Sequence, residues 1–268
     1  MRIFVTSIDT NVGKTVCSSI LCAGLGYDYW KPVQCGDLDF SDSIKVKSYS
    51  PLTKIHSETF KLKAPMSPHE AANLENIDIS LNDLKLPKTE KIIIEGAGGV
   101  MVPLNYKGNM LIELASKFEA KVIIVFKNYL GSINHTLLTI DKVKSAGLNI
   151  LGLLVVGDEV TSSENIIEDT TQTNIIARIP VVDHVNPTWV KEQGLNVKNK
   201  LDKIFKKYLI GSYKYVGIDY NPEDENSDFI NHNLEKGLPE NLGKIDIINA
   251  ADVLEHIDNI HELFSNCF

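Results

Sequence analysis

Phe4-Val5-Thr6-Ser7-Ile8-Asp9-Thr10-Asn11-Val12-Gly13-Lys14-Thr15 runs from an apolar strand pattern through a turn ending in Gly-Lys-Thr into a segment with apolar residues at helical spacing. A strand, turn and helix in that order can cradle nucleotide phosphates: turn N–H groups and the helix N-terminus face the anion, a lysine reaches the β/γ oxygens, and a hydroxyl can hold Mg²⁺. Gly13 permits close backbone approach, Lys14 supplies the cation and Thr15 the hydroxyl. The general pattern G-x-x-x-x-G-K-[ST] has glycine where this chain has Ile8, so the motif alone also admits a plain strand-to-helix turn with a surface lysine.

The surroundings decide in favour of the phosphate reading. Six β-type runs are expected at 2–6, 28–33, 91–94, 121–126, 150–156 and 175–179. They alternate with helix-patterned segments at 14–25, 111–118, 133–146, 162–171 and 197–209. Alternation of this kind needs crossover helices and a mostly parallel sheet, and the uniformly apolar strands fit a sheet covered on both faces. The expected fold is therefore α/β, a P-loop NTPase-like sheet with helices on both faces. Ligands of such sheets bind beyond the carboxyl ends of the strands, where the 9–15 turn, Lys31 and Glu95 all fall.

With 268 residues and 43% apolar composition the chain can bury a full core, and its net charge of -8 argues against broad binding to nucleic acid or anionic membranes. The N-terminus enters a strand directly and no run reaches the length of a bilayer span, so a cytosolic protein is expected. Cys17, Cys22, Cys35 and Cys267 show neither C-x-x-C pairing nor zinc-ligand spacing.

Glu95 ends the run Ile92-Ile93-Ile94 and precedes Gly96-Ala97-Gly98-Gly99, placing a carboxylate at the mouth of a buried strand, a position suited to a cation between phosphates. Asp42 precedes a helical stretch and reads first as an acidic residue favoured by the helix dipole. Lys31 ends its strand as either a solvated charge or a second cation for phosphoryl transfer. Ser67-Pro68-His69-Glu70 reads as a helix start, with Ser67 as the capping side chain, Pro68 at the first helical position and His69 structural.

Five motifs then stand in order: Asp9-Thr10-Asn11-Val12-Gly13-Lys14-Thr15, Lys31-Pro32-Val33, Ala64-Pro65-Met66-Ser67-Pro68-His69, Glu95-Gly96-Ala97-Gly98-Gly99 with Pro103-Leu104, and Leu130-Gly131-Ser132-Ile133-Asn134-His135. In order and approximate spacing they resemble dethiobiotin synthetase over residues 1 to about 208. The resemblance implies ATP- and Mg²⁺-dependent carboxylation of 7,8-diaminopelargonic acid, with CO₂ or bicarbonate, to close a cyclic urea in biotin synthesis. It implies that residues 11–15 (Asn11, Val12, Gly13, Lys14, Thr15) and Glu95 hold the nucleotide and that Thr15, Asp42 and Glu95 surround Mg²⁺. Lys14 would contact the phosphates, and Thr10 and Lys31 would hold the carbamate near the γ-phosphate. Cys35 would lie beside the substrate. Gly131, Ser132, Ile133 and Asn134 would receive its carboxylate across the interface of a homodimer with shared sites.

Several positions depart from the family pattern. Ser7-Ile8 replaces the usual Gly-Thr, an exchange expected to tighten the loop, and Cys35 replaces a hydroxyl, weakening a hydrogen bond. Gly157-Asp158 stands where an asparagine often serves base recognition, while Ile179-Pro180-Val181 keeps the pattern. The principal alternative is a nucleotide-switched partitioning-type ATPase, but the extra early lysine common in those proteins is missing near Asp9. A scaffold dominated by the C-terminal segment is a third reading. A boundary is expected near residue 210. Beyond it, Tyr215-Val216-Gly217-Ile218-Asp219, Asp246-Ile247-Ile248-Asn249 and Asp252-Val253-Leu254-Glu255-His256 resemble parts of a class I S-adenosylmethionine-dependent methyltransferase. The glycine-rich loop of that fold is missing, so 211–268 is expected to be an incomplete α/β appendage.

Overall fold

The computed structural model describes residues 1–212, with side chains to Ile204. Two compact units divide the chain, Met1–Phe205 and Lys206–Phe268. The methyltransferase-like motifs lie outside the described residues.

The first unit is built on nine strands: β1 (Arg2–Ser7), β2 (Asp28–Trp30), β3 (Val33–Cys35), β4 (Ile55–His56), β5 (Phe60–Leu62), β6 (Ile92–Glu95), β7 (Lys121–Lys127), β8 (Ile150–Val156) and β9 (Ile175–Ile179). Seven form one parallel sheet in the order β4-β2-β6-β1-β7-β8-β9, and β3 pairs with β5 in a small parallel ribbon. The helices are α1 (Lys14–Leu25), α2 (Asp42–Tyr49), α3 (Pro68–Leu74), α4 (Ile112–Lys117), α5 (Ser132–Ser145), α6 (Thr161–Thr171) and α7 (Pro187–Ser212). This is the expected mostly parallel, P-loop NTPase-like α/β architecture.

Side-chain alternation along the strands divides the core between the two faces. Phe4, Ile92, Ile94 and Ile124 join Leu114 of α4 and Ile140 and Val143 of α5 in one cluster. Ile3, Val5, Ile93 and Ile123 join Ile20 and Leu21 of α1 with Val190, Val197 and Leu201 of α7 in the other. With both faces buried, the central strands need apolar residues at consecutive positions, which is why they read as unbroken runs.

Two expected elements differ in extent, and β4 and β5 fall where no strand is expected from the sequence. The single strand expected over 28–33 is two short strands in different sheets, interrupted by Lys31-Pro32, because proline has no N–H for a central ladder. The last helix begins at Pro187, ten residues earlier than expected from 197. Its interior Gly194 obscures the helical pattern but serves the packing: a Cβ on Gly24 of α1 would lie 2.2 Å from the Gly194 carbonyl oxygen. The two helix backbones meet there, and neither position has room for a side chain.

Gly24→Ala should therefore destabilise the protein by about 1–3 kcal/mol through overpacking, read as a lower denaturation midpoint in urea. An unchanged midpoint would contradict the backbone-to-backbone contact.

Candidate active site

β1 is flanked by β6 and β7, and the chain leaves it first toward β2 and later toward β7, so the sheet changes direction there. The carboxyl ends of β1, β2 and β6 consequently open onto one crevice. The loop after β1 closes on Gly13, whose φ of 97° is left-handed and strongly favours glycine, and Val156 of β8 would lie only 3.2 Å from any added Cβ. Asn11 also has a positive φ, 57°, while exposed Thr10 directs its N–H to the Asp9 carboxylate at 2.7 Å.

Ser7 tightens this loop as expected. Its hydroxyl donates to the Asp9 carbonyl and accepts from the Lys14 ammonium at 2.8 Å; Lys14 also donates to the Asp9 carbonyl at 3.3 Å. The lysine is thus folded against its own loop. Burial pulls its pKa below the ordinary lysine value, Glu95 opposing that change and Lys31 adding to it.

Lys31 is nearly fully buried and sits between two carboxylates. It forms an ion pair with Asp42 at the start of α2 and another with Glu95 at 3.4 Å. The Thr15 hydroxyl donates to Glu95 Oε1 at 2.9 Å. Thr15, Lys31, Asp42 and Glu95 therefore converge although they lie up to 80 positions apart in the chain. Burial alone would depress the Lys31 pKa, but Glu95 and Asp42 outweigh it and hold the ammonium above its ordinary value. Burial would raise Asp42, yet the Lys31 charge and hydrogen bonds hold it below the usual carboxylate value.

Glu95 is 1% exposed, and Tyr29 of β2 donates its hydroxyl to Oε2 at 3.0 Å. Sequence reading missed this residue, because an aromatic residue in a short β run reads as core and only the pairing register brings it beside Glu95. The hydroxyl of Thr15 and the carboxylates of Asp42 and Glu95 are hard oxygen donors. Too few for a dedicated cage, they suit Mg²⁺ that completes its shell with phosphate oxygens and water.

Other expected residues lie nearby or apart. Cys35 ends β3 as a partly buried free thiol, pushed up to about 11 by burial against the opposing influence of Lys31. Gly157, with φ 92°, donates its N–H to the Ile179 carbonyl and neighbours Val181, so 156–157 and 179–181 gather on the far side of the Gly13 turn. The Gly157 carbonyl accepts from Arg178, whose guanidinium also pairs with Glu164 of α6, and Glu164 in turn accepts from Asn128 beyond β7 at 2.7 Å. This clamp was not foreseen.

The segment 131–134 opens α5. Gly131, Ile133 and Asn134 line a groove of about 720 Å³ with Tyr129 and the fully exposed Leu130. Among the described residues, no hydrogen bond or ion pair joins 131–134 to Lys31, Asp42 or Glu95, although β7, which leads into this segment, lies next to β1 in the sheet. Ser67 departs from its expected role: it occupies the cap position of α3 with Pro68 in the first turn, but its hydroxyl pairs with His69 Nδ1 at 2.9 Å and makes no capping bond. His69 donates its backbone N–H to Pro103 and sets its ring edge-on to Tyr106, a structural arrangement.

Over residues 1–188 the chain matches a family described as an AAA domain. It is 44% identical over 206 residues to the ATP-dependent dethiobiotin synthetase of Christiangramia forsetii, a match spanning 75% of this chain and 98% of that relative. The chain belongs to the dethiobiotin synthetase family. The Lawsonia intracellularis synthetase is 39% identical over 202 residues, again 75% of this chain and 98% of the relative. That of Cytophaga hutchinsonii is 42% identical over 182 residues, 66% of this chain and 87% of the relative. Among solved structures, the septum site-determining protein MinD of Pyrococcus horikoshii OT3, complexed with Mg-ADP, covers 80% of this chain and 100% of its own at 14% identity, with a TM-score of 0.43. That likeness is too distant to bear on activity.

Lys31→Met should lower metal-free stability by about 3–5 kcal/mol in urea, because it leaves buried carboxylates without their cation. In the parent, Asp42 contributes stability above its unfolded pKa of about 3.9, and loses that contribution as pH falls through its lower folded value. In Lys31→Met only Thr15 and Lys45 still oppose the effect of burial on Asp42, so the loss of stability on acidification through that range should shrink. A loss below 1 kcal/mol, or an unchanged acid response, would contradict the buried pairing.

Proposed function

We propose that this chain carries out ATP-dependent synthesis of dethiobiotin from 7,8-diaminopelargonic acid and CO₂ or bicarbonate, in biotin biosynthesis. The observation that carries this reading is the convergence of Lys14, Thr15, Lys31, Asp42 and Glu95 at the carboxyl ends of β1, β2 and β6, in a chain related to the synthetases along nearly their whole length.

One substrate amine captures CO₂ as a carbamate. A carbamate oxygen attacks the γ-phosphorus of ATP, the P–O bond to ADP breaks, and a carbamic-phosphoric anhydride forms. The neighbouring amine then attacks the carbonyl carbon, phosphate leaves with the C–O electron pair, the amine loses its proton and the ring closes. Both nucleophiles belong to one bound molecule, so the protein's work is positioning and neutralising phosphoryl charge.

In this reading the backbone of Asn11, Val12 and Gly13 faces the phosphates and Lys14 leaves Ser7 to meet the β/γ oxygens. Lys31, with Thr10, exchanges a carboxylate partner for the carbamate. Thr15, Asp42 and Glu95 hold Mg²⁺, which neutralises phosphate charge when bound. Cys35 lies beside the substrate. Substrate carboxylate binding falls to 131–134 of a second copy, at the N-terminus of α5, where the helix dipole favours an anion. Exposed Leu130 and Leu138 beside that segment support a homodimer with shared sites. Among the described residues no helix is long and apolar enough to cross a membrane, and we place the reaction in the cytoplasm, where ATP is available. The synthetase domain is assigned to 1–210 and the appendage to 211–268.

The test is incubation of the full chain with diaminopelargonic acid, bicarbonate, Mg²⁺ and ATP, with dethiobiotin measured by mass. Product should form with the parent and fall at least 100-fold with folded Lys14→Ala. ATP hydrolysis without ring closure would favour the nucleotide-switch alternative.

Mixing inactive Lys14→Ala with inactive Asn134→Ala chains should restore part of the activity through hybrid dimers. No recovery after verified subunit exchange would contradict shared sites. Removal of 211–268 should preserve ring closure, and its loss in a folded truncation would assign the appendage a supporting role.

A further inference from the structure

Tyr29 is fully buried on β2, and its hydroxyl meets Glu95 Oε2 at 3.0 Å. The parallel register pairs Tyr29 with Ile93, two residues before Glu95 on β6. Successive residues point to opposite faces, so Tyr29, Ile93 and Glu95 share the α1 face of the sheet. Two residues of strand advance about 6.6 Å, close to the reach of a tyrosine from its Cα to its hydroxyl. A shorter donor at residue 29 would stop short of the carboxylate.

The two oxygens of Glu95 therefore face different surroundings. Oε1 accepts from Thr15 at 2.9 Å and from Lys31 at 3.4 Å, on the side of the phosphate cradle. Oε2 accepts from Tyr29 alone among the described residues. Twisting the carboxylate plane would break the Tyr29 bond and strand a buried hydroxyl, which folded proteins avoid.

We propose that Tyr29 is a positioning residue that fixes the plane of the Glu95 carboxylate and thereby sets the affinity of the site for a divalent cation bound with nucleotide. The inference rests on the cation site of the proposed function and adds to it a residue that touches neither cation nor substrate. Donors behind metal-ligating carboxylates fix their orientation, and removing one typically weakens metal affinity 10–100-fold.

The experiment measures Mn²⁺ binding to the full chain by electron paramagnetic resonance, in the presence of a non-hydrolysable ATP analogue. Tyr29→Phe should weaken Mn²⁺ about 10-fold, while affinity for the analogue without metal stays at the parent value. In a Glu95→Gln background the same substitution should have no further effect on Mn²⁺. Tyr29→Met, apolar and adaptable, is the second variant and should show the same loss if Tyr29→Phe fails to fold. Parent-like Mn²⁺ affinity in a folded Tyr29 variant would overturn this inference alone, as would an equal loss in the Glu95→Gln background. A parent that binds no Mn²⁺ with the analogue would overturn the cation site itself, and this inference with it.

Discussion

A lysine ammonium with almost no solvent contact must be neutralised where it sits, and Lys31 is held by two carboxylates from different parts of the chain. Glu95 comes from the end of β6 and Asp42 from the start of α2, so the charge balance binds sheet and crossover helix to one point. Buried ion pairs contribute little net stability when complete and cost several kcal/mol when one partner is removed. Their value here is in holding anionic oxygens close together in a crevice, where phosphate chemistry needs a cation.

The topology explains why that point lies beside the phosphate loop. β2 and β6 are successive neighbours on one side of β1, and their carboxyl ends emerge next to the turn that closes on Gly13. Lys14 and Thr15 open α1 from that turn, so the N-terminus of a helix, two lysines, two carboxylates and a hydroxyl share a few ångströms. On the other side of β1, Val156 leaves little room for a side chain at Gly13, and Arg178, paired with Glu164, donates to the Gly157 carbonyl.

Much of this was legible in the residues. The strands at 150–156 and 175–179 and the helix at 14–25 begin and end where expected, because long apolar runs and a Gly13–Gly26 frame leave little freedom. Lys31, Glu95 and the phosphate loop were recognisable from their positions after apolar strands. The break at Lys31-Pro32 was obscured because apolar residues continue on both sides while the ladder changes sheet. The early start of α7 was hidden by Gly194, whose reason is a contact with Gly24 about 170 positions away. Tyr29 and the Glu164 clamp were invisible for a related reason: each acts through a partner on a neighbouring element, and local periodicity carries no register. Ser67 offered a valid capping signal, but its hydroxyl pairs with the His69 ring and makes no capping bond.

The most direct measurement is a crystal structure of the full chain with Mg²⁺ and a non-hydrolysable ATP analogue. Phosphates should lie on the Gly13–Thr15 backbone, with the cation between them and the oxygens of Thr15, Asp42 and Glu95, and Lys14 turned from Ser7 toward the β/γ oxygens. Phosphates bound elsewhere, with Lys14 still on Ser7 and Lys31 still closed between its two carboxylates, would contradict this assignment of the active site.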